Sequence, residues 1–390
     1  MESGSLLFSF FLIFSGAAVL ATGALFTRQP LLVAYIVLGA IFGPSGFELV
    51  TDTGLLNDIA HVGIIFLLFL LGLDMQPGHL GNLLKKTATV GLLSSGIFAL
   101  FGYGSGLLFG FSNTEALVVG ATMMFSSTII GIKLLPTTVL HHKHTGEMLV
   151  SLLLLQDLMA ILVLLLLYNF DPAKSTGYSD LLVAFIALPV LIIVAVLMVK
   201  YILLPLMARF DRFHEYMFLL ALGWCLGFAE LAHSLNLSYE IGAFIAGISI
   251  ATSPIAQYIA INLKPLRDFF LVLFFFSIGA SFNLALWSKV LVPALAMSLV
   301  VIIIKPMIFG VLLKGVSEKK STAWEVGFRL GQTSEFSILI AALASENYLI
   351  GDIVSHVIQA TAILTLILSS YIVVFRFESP IAISEKLRRD

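Results

Sequence analysis

Residues 151–167 read SLLLLQDLMAILVLLLL, an apolar run that is interrupted at its centre by Gln156 and Asp157. An α-helix needs about 20 predominantly apolar residues to cross the hydrocarbon core of a bilayer. A carboxylate at that depth costs about 2.5–3.5 kcal/mol on insertion scales, so its presence needs a reason. This stretch therefore predicts a membrane-spanning helix with an ionisable group at its middle.

The rest of the chain shares this apolar character. Of its 390 residues, 59% are apolar and 11% are charged, and the mean hydropathy is +1.06. Soluble domains carry about 25% charged residues, so most of this chain needs lipid rather than water as its solvent. Since helices satisfy their own backbone hydrogen bonds in lipid, the composition predicts an all-α polytopic membrane protein.

Several functional classes are disfavoured by what the sequence lacks. It contains no P-loop, no zinc-binding HExxH segment and no GxSxG turn, so we do not expect an enzyme. The single cysteine, Cys225, can form no internal disulfide. The His141–His144 loop is better explained as a solvated segment than as a metal site. We expect no metal centre, no cofactor and no nucleic-acid partner.

Apolar runs of sufficient length predict about thirteen spans. They lie near residues 5–26, 29–44, 57–74, 87–110, 114–134, 147–169, 180–204, 214–235, 238–253, 265–283, 287–313, 322–345 and 352–375. An odd number of spans places the two termini on opposite sides of the membrane.

The basic residues test this count independently, because Lys and Arg collect in cytoplasmic loops. The loops on the far side contain only Lys174 and Lys289. The segments that follow odd-numbered spans contain Arg28, Lys85, Lys86, Lys133, Lys143, Lys200, Arg209, Arg212, Lys264, Arg267, Lys314, Lys319, Lys320, Arg376, Lys386, Arg388 and Arg389. We therefore predict a multi-pass protein of the cell inner membrane with its N-terminus outside and its C-terminus in the cytoplasm.

Two kinds of segment recur at a constant distance along the chain. Gly72 ends span 3 and Gly279 ends span 10, and the two are 207 residues apart. Ser126 and Thr333 interrupt spans 5 and 12 at the same distance. Related spans are seven apart, so the two copies lie in opposite senses, as in inverted-repeat transporters. Chance similarity of small residues is the alternative.

We place both repeats in a single transmembrane domain that covers residues 1–390. Repeat one covers about 29–169, and repeat two covers about 238–375. A linker helix near 180–204 connects them.

Polar residues break spans 5 and 12 in the same way. Unwound backbone at membrane depth persists only where it is buried in protein or lines a cavity, and half-helix ends carry partial charges of about half a unit. We therefore predict two broken, crossing helices around an ion site, with hydrogen bonding between intact helices as the alternative. The first break contains Ser126, Ser127 and Thr128, and the second contains Gln332, Thr333 and Ser334.

Ionisable residues within the spans complete the candidate site. Asp157 is the candidate binding group for a cation or a proton, with Gln156 beside it; a structural ion pair is the alternative. Lys305 follows four apolar residues, and we expect it to be the partner of the carboxylate, with snorkelling as the alternative. Glu335 and Arg329 are expected to compensate charge around the site or to have structural roles.

Taken together, these segments resemble the Kef-type members of the monovalent cation:proton antiporters, the cation:proton antiporter-2 family. The resemblance covers nearly the whole membrane part of the chain. It rests on Gly43-Pro44 after span 2, the Gln156-Asp157 pair, Lys305 before Pro306, and residues 331–336, GQTSEF.

The resemblance implies a sodium/proton antiporter-like fold, a homodimer, and a mobile six-helix core that moves like an elevator. It also implies that Asp157 is the ion-binding carboxylate and that the Gln-Asp form accompanies potassium-coupled exchange. Typical Kef proteins continue into a cytoplasmic nucleotide-binding domain, whereas here only residues 376–390 follow the last span. We therefore expect no regulatory domain in this sequence, and a separate regulatory subunit stays open.

The expected function is exchange of a monovalent cation, K⁺ or Na⁺, for H⁺. One carboxylate at one site predicts electroneutral 1:1 exchange, because either ligand carries one charge. Two alternatives use a similar scaffold: a sodium-coupled symporter of an organic solute, and a cation channel or sensor.

Overall fold

The computed structural model describes residues 6–27, 29, 31–50, 53–74, 77–135, 144–169, 178–210, 212–235, 237–251, 253 and 255–379. Within these ranges the regular elements are helical. They include a π-helical turn at Val199–Leu203 and a 3-10 turn at Leu284–Leu286. The α-helices are α1 (Leu6–Phe26), α2 (Leu31–Phe42), α3 (Thr53–Asp74), α4 (Pro77–Leu108), α5 (Asn113–Met123), α6 (Thr128–Lys133), α7 (His144–Asn169), α8 (Tyr178–Met198), α9 (Leu204–Arg209), α10 (His214–Ser234), α11 (Tyr239–Ile250), α12 (Ile255–Ala280), α13 (Trp287–Gly315), α14 (Lys320–Arg329), α15 (Glu335–Glu346) and α16 (Asp352–Arg376).

Seven helical segments of the described chain are long and apolar enough to cross a membrane: α1, α4, α7, α8 with α9, α10, α13 and α16. Each predicted span coincides with a helix or with two consecutive helices, so the all-α, multi-pass class is confirmed. Helices α4 and α12 begin at Pro77 and Ile255, well before the predicted starts near 87 and 265. Hydropathy marks only the apolar part of a helix, and both helices start with turns that contain polar residues.

The described chain forms two compact units. The first comprises residues 1–17, 35–81 and 168–281. In it, α3 packs against α11 and α12, and α10 packs against α11. The second comprises residues 18–34, 82–167 and 282–390. In it, α13 packs against α14 and α16, and α15 packs against α5 and α16.

Glycines in the first unit allow helix backbones to touch. A Cβ on Gly39 would lie 2.0 Å from the carbonyl oxygen of Phe276, and one on Gly247 would lie 2.1 Å from that of Phe69. Gly39 and Gly247 are 208 residues apart, and Phe69 and Phe276 are 207 apart. The α2–α12 and α11–α3 contacts are therefore equivalent, and each joins one repeat to the other. This reciprocal pattern is what two symmetry-related repeats produce, and it supports the predicted repeat.

Both predicted helix breaks are present in the second unit. Helix α5 ends at Met123 and α6 begins at Thr128, while α14 ends at Arg329 and α15 begins at Glu335. Serine side chains favour such helix starts because they accept a backbone N–H that has no partner within the helix. Ser334 does so for the N–H of Phe336 at 3.2 Å. The breaks thus leave free backbone groups in a buried region, and these groups define the candidate site.

Candidate functional site

Asp157, in the middle of α7, contacts the start of α6, the half-helix that follows the first break. The hydroxyl of Thr128, the first residue of α6, is 3.2 Å from each carboxylate oxygen of Asp157. Asp157 is only 1% exposed. Among the described residues, no Lys or Arg lies within ion-pair distance of it. A buried carboxylate near a positive helix end, without a cationic side chain, can accept a proton or a small cation.

Gln156 holds the backbone of the same break. Its Oε1 accepts the N–H of Ser126 at 3.0 Å, and the Ser126 hydroxyl donates to the Leu330 carbonyl of the second break at 2.9 Å. The Gln156 Nε2 is buried and has no hydrogen-bond partner in the described part of the protein. Gln156, the chain neighbour of Asp157, therefore links α7 to the backbone of the first break, and Ser126 links the first break to the second.

Lys305 bridges the two breaks. Its Nζ donates to the carbonyl of Phe125 at 2.6 Å and to that of Gln332 at 2.9 Å, and it lies 3.4 Å from the Ser126 hydroxyl. Phe125 and Gln332 are 207 residues apart, so the two carbonyls are equivalent positions of the repeats. The ammonium therefore compensates the negative ends of two half-helices. Within the described part of the protein Lys305 forms no hydrogen bond with Asp157, so the expected direct pairing is not observed.

Helix α16 holds the second break with two hydroxyls. Thr365 Oγ1 accepts the Thr333 N–H at 3.2 Å and lies 2.8 Å from the Thr333 hydroxyl. Ser369 donates to Gln332 Oε1 at 2.8 Å. The Gln332 Nε2 in turn donates to the Arg329 carbonyl at 3.0 Å and is 3.4 Å from that of Ser127. The second break is thereby connected to the first.

Arg329 belongs to a neighbouring network. Its guanidinium donates twice to Glu325 at 3.0 Å, and also to the carbonyls of Leu134 at 2.9 Å and Glu378 at 2.7 Å. Its acidic partner is thus Glu325, one turn earlier on the same helix. Leu134 directly follows α6, so Arg329 compensates the negative end of that half-helix. This supports the structural role considered for it.

Glu335 is the first residue of α15 and is 7% exposed. Its carboxylate lies 3.4 Å from the Ser334 hydroxyl, and it is near enough to interact electrostatically with Asp157. It occupies a positive helix end, the position at which an acidic side chain is stabilised. Glu335 therefore begins α15, the half-helix after the second break, while Asp157 contacts the first residue of α6, the half-helix after the first break.

The structure brings the predicted polar residues of both breaks together with Asp157, Gln156 and Lys305. The roles assigned to them stay predictions. Sequence reasoning missed Thr365 and Ser369, although two hydroxyls four residues apart share one face of a helix. In the predicted His141–His144 loop, residues 141–143 lie outside the described ranges, and His144 Nε2 is 2.9 Å from Glu318.

Comparison with known proteins gives consistent matches. The family model described as "sodium/hydrogen exchanger, transmembrane" matches residues 10–377. K(+) efflux antiporter 6 of Arabidopsis thaliana is 29% identical over 347 residues, which cover 87% of this chain and 58% of that protein. The glutathione-regulated potassium-efflux system protein KefC of Cronobacter sakazakii is 26% identical over 315 residues, 80% of this chain and 51% of its own. The chain thus spans less than two thirds of these relatives, and the resemblance seen in the sequence is confirmed for the membrane part.

A solved structure matches the fold. The sodium proton antiporter MjNhaP1 of Methanocaldococcus jannaschii, determined at pH 8, superposes with a TM-score of 0.73. The match covers 92% of this chain and 94% of that chain, at 18% sequence identity. At this identity the likeness shows the shared fold.

Proposed function

Because this chain belongs to the sodium/hydrogen exchanger family, we propose that it exchanges a monovalent cation for a proton, with K⁺ favoured over Na⁺. The observation that carries the proposal is Asp157. It is a buried carboxylate whose recorded hydrogen bonds come from Thr128, and no cationic side chain among the described residues neutralises it. A fully buried negative charge is costly, so the group favours a bound proton or a bound cation.

The two ligands exclude each other at this carboxylate. A proton neutralises Asp157, whereas a dehydrated cation needs the charged carboxylate and further oxygen atoms. The Thr128 hydroxyl is next to Asp157, and the Ser127 carbonyl belongs to the adjacent peptide; both are oxygen donors of the kind that K⁺ and Na⁺ use. Because either ligand carries one positive charge, one site predicts electroneutral 1:1 exchange.

The preference for K⁺ rests on the Gln156-Asp157 pair. The resemblance to Kef-type antiporters implies that this Gln-Asp form accompanies potassium-coupled exchange. The names of two relatives, a K(+) efflux antiporter and a potassium-efflux system protein, favour the same ion, whereas the family description favours Na⁺. Homodimer assembly and elevator-like motion stay predictions from the resemblance, and location in the inner membrane stays a prediction from the distribution of basic residues.

The test is transport by purified protein in proteoliposomes that enclose a pH dye. We expect the native protein to move protons when K⁺ is added, with a lower KM for K⁺ than for Na⁺ or Li⁺. Asp157→Asn should reduce this flux to that of empty liposomes while the protein remains folded. The control is Asp352→Asn, an exposed carboxylate in the first turn of α16, which should transport normally.

Current recorded on a solid-supported membrane completes this test. Electroneutral exchange predicts proton flux with negligible current in the native protein. Cation-driven proton flux in Asp157→Asn would refute the assignment of the site. A current without proton flux would identify a channel, and flux that requires an organic solute would identify a symporter.

A further inference from the structure

We infer that Thr365 and Ser369 are positioning residues of the exchange site, which hold the second break in the conformation that the first break requires. The inference rests on the proposed function for its transport consequences, and on the hydrogen bonds of α16 for its structural ones. Both side chains are buried, with exposed fractions of 0% and 1%. They are four residues apart and therefore lie on the same face of the helix.

Thr365 acts as an acceptor toward the break. Its own hydroxyl proton is directed at the Ala362 carbonyl of the same helix, 3.0 Å away. Its oxygen is then free to accept both donors of Thr333, the backbone N–H at 3.2 Å and the hydroxyl at 2.8 Å. A backbone N–H freed by a helix break needs such a partner at membrane depth. Thr365 thus fixes the Thr333 peptide.

Ser369 acts as a donor one turn further along. Its hydroxyl donates to Gln332 Oε1 at 2.8 Å, which determines the direction of the Gln332 amide. The Gln332 Nε2 then faces the Arg329 and Ser127 carbonyls. Ser127 immediately precedes Thr128, whose hydroxyl contacts Asp157. A continuous chain of contacts therefore runs from α16 to the carboxylate.

The repeat shows why this role is one of positioning. In the first repeat Gln156 accepts the Ser126 N–H, and in the second Thr365 accepts that of Thr333. Ser126 and Thr333 are equivalent positions, 207 residues apart. Gln156, the acceptor in the first repeat, is followed in the chain by Asp157, whereas both chain neighbours of Thr365 are leucines. The second repeat keeps the backbone anchor without the carboxylate.

The experiment replaces each hydroxyl and compares it with a matched control. Thr365→Val should raise the KM for K⁺ about tenfold and shift the pH profile of exchange, because loss of one hydrogen bond to a buried group is of this size. Its effect on the maximal rate should be smaller. Thr365→Ser keeps the acceptor oxygen and should restore native values. Thr361→Val makes the same change on the same helix, but the Thr361 hydroxyl is buried without a partner in the described chain, so native behaviour is expected.

Ser369→Ala and Ser370→Ala form the second matched pair. Within the described part of the chain Ser370 donates to the Leu366 carbonyl of its own helix, at 2.7 Å, and to no other group, so its replacement should leave exchange unchanged. Ser369→Ala should raise the KM for K⁺ several-fold, because the Gln332 amide loses its orientation. If Thr365→Val does not fold, the comparison of Ser369→Ala with Ser370→Ala still tests the inference.

Amide hydrogen exchange provides a readout that does not depend on transport. The peptide that contains residues 330–336 should exchange faster in Thr365→Val than in Thr361→Val or the native protein. If native and Asp157→Asn proteins show equal flux, the proposed function fails, while this measurement still decides the inference. Equal KM, pH profile and amide exchange in each variant and its control would overturn the inference itself.

Discussion

Among the described residues of the second unit, four Asp, Glu, Lys or Arg side chains are more than nine-tenths buried: Asp157, Lys305, Arg329 and Glu335. Each meets the helix end of opposite charge. The two bases contact carbonyls that follow or end half-helices. Glu335 begins α15, and Asp157 contacts the first residue of α6. This arrangement reduces the cost of burying charge, since helix ends carry partial charges that a bilayer cannot screen.

Lys305 predicts a measurable loss of stability. Lys305→Met removes the donor for the carbonyls of Phe125 and Gln332, and each buried carbonyl without a partner costs about 1–3 kcal/mol. Part of this loss of stability is offset because the substitution also removes the cost of burying a charged ammonium. We expect a net loss of about 2 kcal/mol or more, measured as a lower thermal unfolding midpoint in detergent.

The matched control for this prediction is Lys314→Met, at the exposed end of the same helix. Its midpoint should stay close to the native value. Equal unfolding midpoints for the two variants would mean that the contacts of Lys305 with the two breaks do not stabilise the protein.

At the scale of elements, the first unit depends on close contacts between helix backbones. The reciprocal α2–α12 and α3–α11 contacts are possible because the residue at each crossing has no side chain. A Cβ at Gly39 or Gly247 would lie within about 2 Å of a carbonyl oxygen, closer than atoms in a packed interior approach one another. Backbone cannot move aside as a flexible side chain can, so these positions require glycine.

Gly247→Ala should therefore destabilise the protein by about 1–3 kcal/mol, the usual cost of overpacking. Gly39→Ala should have a similar effect, because the repeat gives it an equivalent contact. The control is Gly227→Ala in α10, where an added Cβ meets no atom within 4 Å. That change should be neutral or stabilising by up to about 1 kcal/mol, since alanine favours helix. If all three variants had the same unfolding midpoint as the native protein, the prediction would be wrong.

At the scale of the whole molecule, the predicted membrane orientation rests on the distribution of charge. Nearly all Lys and Arg residues lie in segments that follow odd-numbered spans, and only Lys174 and Lys289 lie in loops on the other side. Basic residues near span ends are retained in the cytoplasm. The predicted thirteen-span topology then places the two termini on opposite sides.

A tag placed after Asp390 should be accessible only from the cytoplasm, and one placed before Met1 only from outside. The measurement is labelling of each tag by a membrane-impermeant reagent in intact and permeabilised cells. Labelling of both tags from one side would refute the odd number of spans and the inverted orientation of the repeats.

Several properties of this protein could be predicted from the sequence because their causes are local. Hydropathy over about 20 residues marks a span, and a cluster such as Ser126 to Thr128 within such a run marks a break. Asp157 stood out because a carboxylate is rare among leucines. The repeat was recognisable because the same distance separates Gly72 from Gly279 and Ser126 from Thr333.

The hydrogen-bond partners could be decided only by the tertiary structure. Lys305 and Phe125 are separated by 180 residues, and no local pattern shows that the ammonium meets carbonyls rather than Asp157. Arg329 pairs with Glu325 one turn away, while its other contacts lie on distant segments. Thr365 and Ser369 look like ordinary hydroxyls of a membrane helix until packing places them against the second break. Hydrogen bonds depend on distances of about 3 Å, and only the packing of helices distant in sequence sets those distances.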